Sequence, residues 1–257
     1  MPLAASAAWR RAAALHGFTM ALIALWWGYA QLVPPYVLPG PAPVARRMID
    51  FLSDPLLALQ LGISLAHALT GIALSLLVSV GLAFTAHYAF ALRLLVDARI
   101  TPFLSAFSAI GWLFLAILWF GIDSRTVVFT ITMVLIPFAT INIRAGLSEL
   151  DPELMELGRS LTRARLRRFA KLMLPMLTPF LFAALRVSFG VAWKVTLTAE
   201  LFGGNAGVGY ILNVARQEFD TDTIFAVITF IVLFVSLAEV FFFRPLQRVL
   251  DRRYGLA

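Results

Sequence analysis

The chain has 257 residues, of which 61% are hydrophobic and only 14% are charged. Soluble domains are about 45–50% apolar and about 25% charged, so this composition is typical of a membrane protein. The complete absence of cysteine excludes disulfides, zinc–thiolate sites, iron–sulfur clusters and thiol nucleophiles, and the net charge of +7 leaves a nucleic-acid binder to be considered.

Long apolar stretches recur down the chain, and each is long enough to cross a bilayer, which takes about 17–25 residues. We predict six transmembrane helices at about residues 12–33, 61–84, 100–122, 126–143, 176–200 and 222–243. Backbone groups in lipid must pair internally, which favours helices over open strands. The sequence therefore predicts an all-α polytopic membrane protein, with residues 1–257 forming a single transmembrane domain.

The first predicted helix follows Trp9-Arg10-Arg11, a start that resembles a signal peptide or a twin-arginine signal. Its apolar core is longer than the usual signal core of about 7–15 residues, and no small-x-small cleavage site follows it. We therefore expect an uncleaved first span.

The distribution of Lys and Arg predicts the orientation. With the N-terminus inside, 15 basic residues fall on cytoplasmic segments, whereas the outer segments carry only Arg46, Arg47, Arg125 and Arg216; the remaining two of the 21, Arg186 and Lys194, lie within the fifth span. This asymmetry predicts that both termini are cytoplasmic. It also accounts for the positive net charge without a nucleic-acid partner.

Two outer segments have a distinct composition. Residues 33–43 contain prolines at 34, 35, 39, 41 and 43 and cannot be helical throughout. Residues 203–209 form a glycine-rich turn. Gly207-Val208-Gly209 does not read as a phosphate-binding loop, because it lacks the lysine and the strand-then-helix context of one.

The longest polar segment, about residues 144–171, lies between the fourth and fifth predicted spans. Asp151-Pro152-Glu153 is typical of a helix start, with Asp as the N-cap and Pro at the first helical position. Leu154, Leu157 and Leu161 then fall on one face of the predicted helix. The segment therefore predicts a short amphipathic helix on the cytoplasmic side.

The spacing in this segment resembles the permeases of ATP-driven importers that use a periplasmic binding protein. Their cytoplasmic loop reads Glu-Ala-Ala, three residues, Gly, nine residues, Ile, one residue, Leu-Pro. The register here is Glu156-Leu157-Gly158, then Thr162, Leu172 and Leu174-Pro175. The spacing is kept, although Leu157, Gly158 and Thr162 replace the family's two alanines and glycine.

This resemblance implies a coupling helix, within a loop at about residues 149–171, that docks in a groove of a separate ATPase. The docking residues it implies are Glu153, Glu156, Leu157, Gly158 and Thr162. Small residues would let the helix seat closely, and Gly158 keeps such a surface. The implied partners are two ATP-binding subunits, a periplasmic substrate-binding protein, a second copy of the chain and membrane lipid.

The similarity extends over roughly residues 35–250 and is strongest to the nitrate, sulfonate and taurine branch. The matching stretches are Leu38-Pro39-Gly40-Pro41, Ser64-Leu65 with Gly71, Leu118-Trp119-Phe120-Gly121-Ile122, Leu185-Arg186 with Ala192-Trp193, Ala199-Glu200 and Gly207-Val208-Gly209-Tyr210. Ser108 and Phe114 stand where that branch has prolines, so we expect the third helix to lack a kink.

Charged residues within spans are costly and usually face protein or water. Arg186, Lys194, Glu200 and Glu239 are the four here. We expect Lys194, Glu200 and the neighbouring Trp193 to line the translocation path, and Arg186 to act as a structural anchor. Alternatively, Glu200 and Glu239 lie near helix ends and reach water.

No bound cofactor or metal is expected. His16, His67 and His87 are dispersed, which favours packing roles over metal binding. No Walker sequence occurs, so ATP and Mg²⁺ are expected on the partner ATPase.

The resemblance thus implies a non-enzymatic permease subunit of a bacterial inner-membrane importer, carrying a small organic or inorganic anion of the sulfonate, taurine or nitrate kind. Two alternatives stay open, an ATP-independent secondary transporter and a membrane scaffold component. A secondary transporter would need proton-relay acids or broken helices near the midplane.

Overall fold

A computed structural model describes residues 17–161 and 164–254 of the chain. The described residues are helical with short connections and contain no β-strand. The all-α prediction is therefore confirmed.

The first eight helices run from the N-terminal apolar segment to the polar segment. They are α1 (Gly17–Ala30), α2 (Pro41–Ser53), α3 (Pro55–Tyr88), α4 (Phe90–Leu95), α5 (Thr101–Ala106), α6 (Ala109–Phe120), α7 (Ser124–Ser148) and α8 (Pro152–Leu161). A π-helical turn, Val96–Ile100, joins α4 to α5 without a break.

The remaining helices lie after residue 163. They are α9 (Arg165–Arg168), α10 (Leu174–Gly203), α11 (Val208–Gln217), α12 (Thr221–Ala238) and α13 (Arg244–Tyr254). Two further π-helical turns, Phe169–Met173 and Glu239–Phe243, make α9 continuous with α10 and α12 continuous with α13.

Four continuous helical segments are long and apolar enough to cross a membrane: Pro55–Tyr88, Ser124–Ser148, Phe169–Gly203 and Thr221–Leu250. The last two include the π-helical turns next to α10 and α12. A fifth span is obtained if the bent pair Phe90–Ala106 and Ala109–Phe120 counts as one. Gly17–Ala30 is a shorter apolar helix, and the predicted start of the first span lies outside the described residues.

The third predicted span is broken, contrary to the expectation from its missing prolines. Its two halves meet at an angle of 83°. Phe107 and Ser108 are extended, and the Ser108 hydroxyl oxygen accepts a hydrogen bond of 3.1 Å from the Gly111 backbone N–H. Ser108 thus starts a new helix as its N-cap, a role that requires no proline.

The chain divides into two compact units, and the single-domain assignment stays a prediction. The smaller unit joins the described residues up to Ala58 with Leu212–Phe230. Within it the first part of the proline-dense segment forms turns up to Gly40, so the segment is not helical throughout, as the sequence predicts, and α2 begins at Pro41. Trp26 Nε1 donates to the Pro39 carbonyl at 3.0 Å, and Thr221 Oγ1 donates to the Pro35 carbonyl at 3.3 Å.

The larger unit joins Leu59–Ile211 with the described residues from Ile231 onward. Its core lies between α3, α6, α7 and α10, where the buried side chains include Ile72, Leu113, Ile131, Leu135 and Val195. Gly71 allows close approach of α3 and α7, because a Cβ atom there would lie 2.4 Å from the Ile131 Cγ2 atom. This packing fixes α10, which carries three of the predicted site residues.

Candidate functional site

Helix α8 begins where the sequence predicts. The Asp151 carboxylate accepts a hydrogen bond of 2.8 Å from the Glu153 backbone N–H, and the helix starts at Pro152. An aspartate in this position satisfies a backbone donor that has no partner within the helix. The start of the predicted coupling helix is therefore fixed by local chemistry alone.

One face of α8 is apolar and exposed. Leu154, Leu157 and Leu161 are 42%, 53% and 77% exposed, and Glu153 and Glu156 lie beside them in solvent. On the other side of the helix Met155 packs against the core residues Met173 and Leu177. An apolar stripe that its own chain leaves uncovered, with acidic residues at its edge, has the composition of a protein-docking surface.

Gly158 has a different role from the one expected. A Cβ atom at this position would lie 2.6 Å from the Leu172 Cδ2 atom and 3.4 Å from the Arg168 Cγ atom. Its missing side chain lets α8 pack on the segment that leads into α10, so it does not supply a smooth surface for a partner. Thr162 lies outside the described residues, and its docking role stays a prediction.

Lys194 lies on the exposed side of α10 and lines a cavity of about 730 Å³. The apolar walls of the cavity include Phe182, Val187, Val191 and Val235. Within the described part of the chain the Lys194 ammonium has no ion-pair or hydrogen-bond partner. A cation on an apolar wall attracts an anion that carries an apolar group.

The same cavity holds a second cation, Arg186, which is already paired. The Arg186 guanidinium donates to both carboxylate oxygens of Glu239 and to the amide oxygen of Gln247. The Arg186 Nε to Glu239 Oε2 distance is 3.2 Å. Arg186 is therefore a structural anchor, as the sequence indicates, and Glu239 is its partner rather than a side chain that merely reaches water.

Trp193 faces the interior and not the cavity, which corrects its expected placement on the path. Its side chain is 5% exposed, and its ring centroid lies 4.9 Å from that of Phe234. The residue adjacent to Lys194 on a helix is rotated by about 100°, so Lys194 and Trp193 face different sides. Trp193 thus supports the packing of α10.

Glu200 is also placed differently from the expectation. It is 0% exposed, so its carboxylate does not face water in this structure. One carboxylate oxygen lies 2.8 Å from His67 Nδ1, and the other accepts a hydrogen bond of 2.7 Å from the Ser64 hydroxyl. Glu200 is thus an internal link between α10 and α3, and a buried carboxylate is tolerated because it is hydrogen-bonded.

The start of α11 is bonded to this buried cluster through three successive backbone N–H groups. Gly207 N–H donates to Gln60 Oε1 at 2.6 Å, Val208 N–H to Ser64 Oγ at 2.8 Å, and Gly209 N–H to Glu200 Oε2 at 2.9 Å. A helix N-terminus favours negative charge, and here the anion is a carboxylate of the same chain. The anion at the glycine-rich turn is therefore the Glu200 carboxylate.

Glycine is required at two positions of this turn. Gly207 has a φ of +102°, and a Cβ atom there would lie 2.3 Å from the Glu200 carboxyl carbon. A Cβ atom on Gly209 would lie 2.6 Å from the Leu197 carbonyl oxygen. The Gly-x-Gly spacing is therefore a consequence of how closely the turn packs on α10.

Sequence reasoning did not identify Gln60, Ser64 and His67 as members of one cluster. Their spacing does contain a signal, because residues three and four apart share a helix face and Gln60, Ser64 and His67 therefore form a polar stripe on apolar α3. A polar stripe on an apolar span faces protein or water. The missing information was its partner, 133 residues away at Glu200.

Comparison with known proteins agrees with this architecture. Residues 78–255, well over half of the chain, match the family model described as binding-protein-dependent transport system inner membrane component. The taurine transport system permease protein TauC of Escherichia coli (strain K12) is 26% identical over 93% of this chain and 89% of its own length. The putative aliphatic sulfonates transport permease protein SsuC of Bacillus subtilis (strain 168) is 29% identical over 90% of this chain and 83% of its own.

The fold is also similar to a solved structure, which is described as inward facing conformations of the MetNI methionine ABC transporter. The TM-score is 0.66 at 17% identity, with 76% of this chain and 96% of that chain covered. The expected importer-permease fold and its taurine and sulfonate branch are confirmed. The chain belongs to the family of binding-protein-dependent transport system inner membrane components.

Proposed function

We propose that this chain imports a small organic anion of the sulfonate class, working with an ATPase and a capture protein on separate chains. The family match supports transport coupled to a binding protein, and the taurine and sulfonate names belong to its relatives. The exposed stripe of α8 carries the proposal, because it is an uncovered apolar surface on a helix between two apolar spans.

In this proposal each of two ATPase subunits receives the stripe formed by Leu154, Leu157 and Leu161 in a groove, with Glu153 and Glu156 at its rim. ATP and Mg²⁺ bind the ATPase, and closure of the two ATPase subunits pulls on α8. Because Gly158 packs on Leu172, the pull is passed to the segment that continues into α10. Motion of α8 is therefore transmitted to the helix that carries Lys194.

Lys194 is the proposed recognition residue of the path. Its free ammonium lies on an apolar cavity wall, which suits a sulfonate attached to a short carbon chain. We place this face of α10 on the two-fold axis of a homodimer, because an unpaired cation facing lipid is costly. Two such helices would then offer two ammonium groups to one anion.

The proposed orientation places both termini in the cytoplasm of a bacterial cell, across the inner membrane. It is supported by the distribution of the 21 basic residues. Fifteen lie on the predicted cytoplasmic segments, four on the outer segments and two within the fifth span. The short outer segments are then available to the capture protein.

The test is reconstitution of the full-length chain with the ATPase and the capture protein of the same operon. Sulfonate uptake should require ATP and the capture protein. Leu157→Asp places a charge in the proposed docking groove and should lower ATPase co-purification and uptake at least about tenfold, since a desolvated unpaired charge costs more than 1.4 kcal/mol.

Leu52→Asp is the matched control, because Leu52 is a similarly exposed leucine on α2, at 63% against 53% for Leu157. It should leave ATPase co-purification unchanged. Normal co-purification of the ATPase with the Leu157→Asp variant would show that α8 is not the docking surface. Uptake that persists after ATP depletion would instead show a secondary transporter.

A further inference from the structure

A polar groove separate from the Lys194 cavity lies between α7 and the continuous segment formed by α4, the π-turn and α5. One wall carries polar side chains every fourth residue, at Arg93, Asp97, Thr101 and Ser105. The facing wall on α7 repeats the spacing at Thr140, Arg144 and Ser148. Residues four apart share a helix face, so two polar stripes enclose a cavity of about 510 Å³.

The groove carries a net positive charge. Arg144 is only 17% exposed, and its Nη2 and Nε atoms donate to the Asp97 carboxylate at 2.6 and 3.1 Å. The Arg93 Nε atom lies 3.6 Å from the same carboxylate. Two guanidinium groups therefore share one carboxylate, which leaves donors of Arg93 and one positive charge for a further anion.

A buried hydroxyl in the wall also lacks a partner. Thr140 is 1% exposed, and its Oγ1 atom makes no hydrogen bond with the described residues. A helical threonine ordinarily donates to the carbonyl four residues before it, here that of Ile136. That carbonyl already accepts a hydrogen bond of 3.0 Å from the Ser79 hydroxyl. The Thr140 hydroxyl is thus a buried donor in the wall of the groove that makes no hydrogen bond with the described residues.

The π-turn Val96–Ile100 lies in the same wall and includes Asp97. Such turns interrupt the regular hydrogen-bond pattern of a helix and are frequent at functional sites. This turn places the shared carboxylate between the two arginines. The π-turn is an observation separate from the net positive charge of the groove and from the unpaired Thr140 hydroxyl.

We propose that this groove binds the oxyanion group of a ligand, a phosphate or a sulfonate. Guanidinium groups donate to planar pairs of oxyanion oxygens, and hydroxyls supply the remaining donors. The groove shares no lining residue with the Lys194 cavity. The proposed oxyanion site in the groove is therefore separate from that cavity. The topology proposed above puts it at the cytoplasmic surface, where a lipid headgroup phosphate or a free anion would supply the same chemistry.

The test uses the full-length chain and three variants with different expected signs. Thr140→Val keeps the shape and removes the unpaired hydroxyl, and Arg93→Gln removes the less engaged guanidinium, so both should weaken oxyanion binding. Arg93→Gln should weaken it at least about tenfold, as expected for a lost charge-assisted hydrogen bond. Asp97→Asn removes the competing carboxylate charge and should tighten binding. Thr132→Val is the control, because the Thr132 hydroxyl donates to the Val128 carbonyl outside the groove at 2.7 Å.

Binding is measured as the rise in Tm in neutral detergent with sodium sulfate or inorganic phosphate, against sodium chloride at equal ionic strength. The same proteins are then compared in phosphatidylglycerol and phosphatidylcholine nanodiscs. A saturable sulfate or phosphate effect with the variant pattern above shows a free-anion site. An effect of phosphatidylglycerol alone, with that pattern, shows a headgroup site. No effect in either medium, or an effect that the three variants leave unchanged, overturns the proposal.

Discussion

The carboxylate of Glu200 lies 2.8 Å from the Nδ1 atom of His67, although 133 residues separate them in the chain. Both side chains are almost completely buried, at 0% and 6% exposure. The contact ties α10 to α3 and, through the Gly209 N–H, to the start of α11. Glu200, a charged residue inside an apolar span, therefore holds α10, α3 and the start of α11 together.

Glu200→Ala should destabilise the protein strongly. It leaves the Ser64 hydroxyl and the Gly209 N–H without their acceptor, and each buried donor without a partner costs about 1–3 kcal/mol. Tm in detergent should fall for this variant, whereas Glu218→Ala, at an exposed carboxylate, should change it little. An unchanged Tm for Glu200→Ala would show that the cluster carries no stability.

Gly207→Ala should be far more harmful than Gly190→Ala. At Gly207 the φ of +102° disfavours any side chain, and the new Cβ would overlap the Glu200 carboxylate. At Gly190 nothing lies within 4 Å of a Cβ, and Ala in a helix is favoured by about 0.5–1 kcal/mol. Expression level and Tm of the two variants give the comparison, and equal values would contradict the turn geometry.

Glu156→Lys should uncouple the ATPase from transport. The change reverses a charge at the edge of the exposed stripe on α8, while the buried face with Met155 is untouched. Membrane insertion should be normal, and stimulated ATPase and uptake should both fall. Wild-type rates in the purified variant complex would rule out an ATPase contact at Glu156.

Lys194→Met should lower substrate uptake without lowering stability. The ammonium pairs with no described residue, so removing it breaks no ion pair there, and methionine keeps the length of the side chain. The apparent KM for the sulfonate should rise at least about tenfold, as for the loss of a charge-assisted contact. Lys171→Met, at the only other lysine in the sequence, should have no such effect. Unchanged uptake would remove Lys194 from the path.

Asp220 should make the smaller unit sensitive to acid. Burial opposes its ionisation, but hydrogen bonds from the Thr223 side chain and backbone, together with the Arg47 charge, outweigh burial and hold the pKa of the Asp220 carboxyl below its ordinary value. A lowered folded-state pKa stabilises the fold above the unfolded-state pKa, and this stability is lost as pH falls through the folded-state pKa.

The wild-type Tm should therefore exceed that of Asp220→Asn at neutral pH, and the difference should shrink as the pH falls below the ordinary aspartate range. The control is Asp222→Asn, at the neighbouring carboxyl on the same helix end. A difference between wild type and Asp220→Asn that does not depend on pH would contradict the ionised Asp220 carboxylate, with its Thr223 and Arg47 contacts, as its source.

The sequence by itself determined the features that depend on residues close together in the chain. Hydropathy over about twenty residues predicts a membrane protein and places its long helices. The Asp151 cap and the exposed leucines of α8 follow from side chains within a few positions of each other. Such features form from local chemistry, so they can be read without knowing what packs against them.

Only the tertiary structure decided the features that depend on distant partners. The break at Phe107–Ser108 needs no proline, because Ser108 caps the next helix. Gly158 faces Leu172 instead of an outside partner. Glu200 is buried because Ser64, His67 and Gly209 all bond to its carboxylate. The free energy of a charge in a span depends on which groups surround it, and those groups come from helices that the spacing along one helix does not identify.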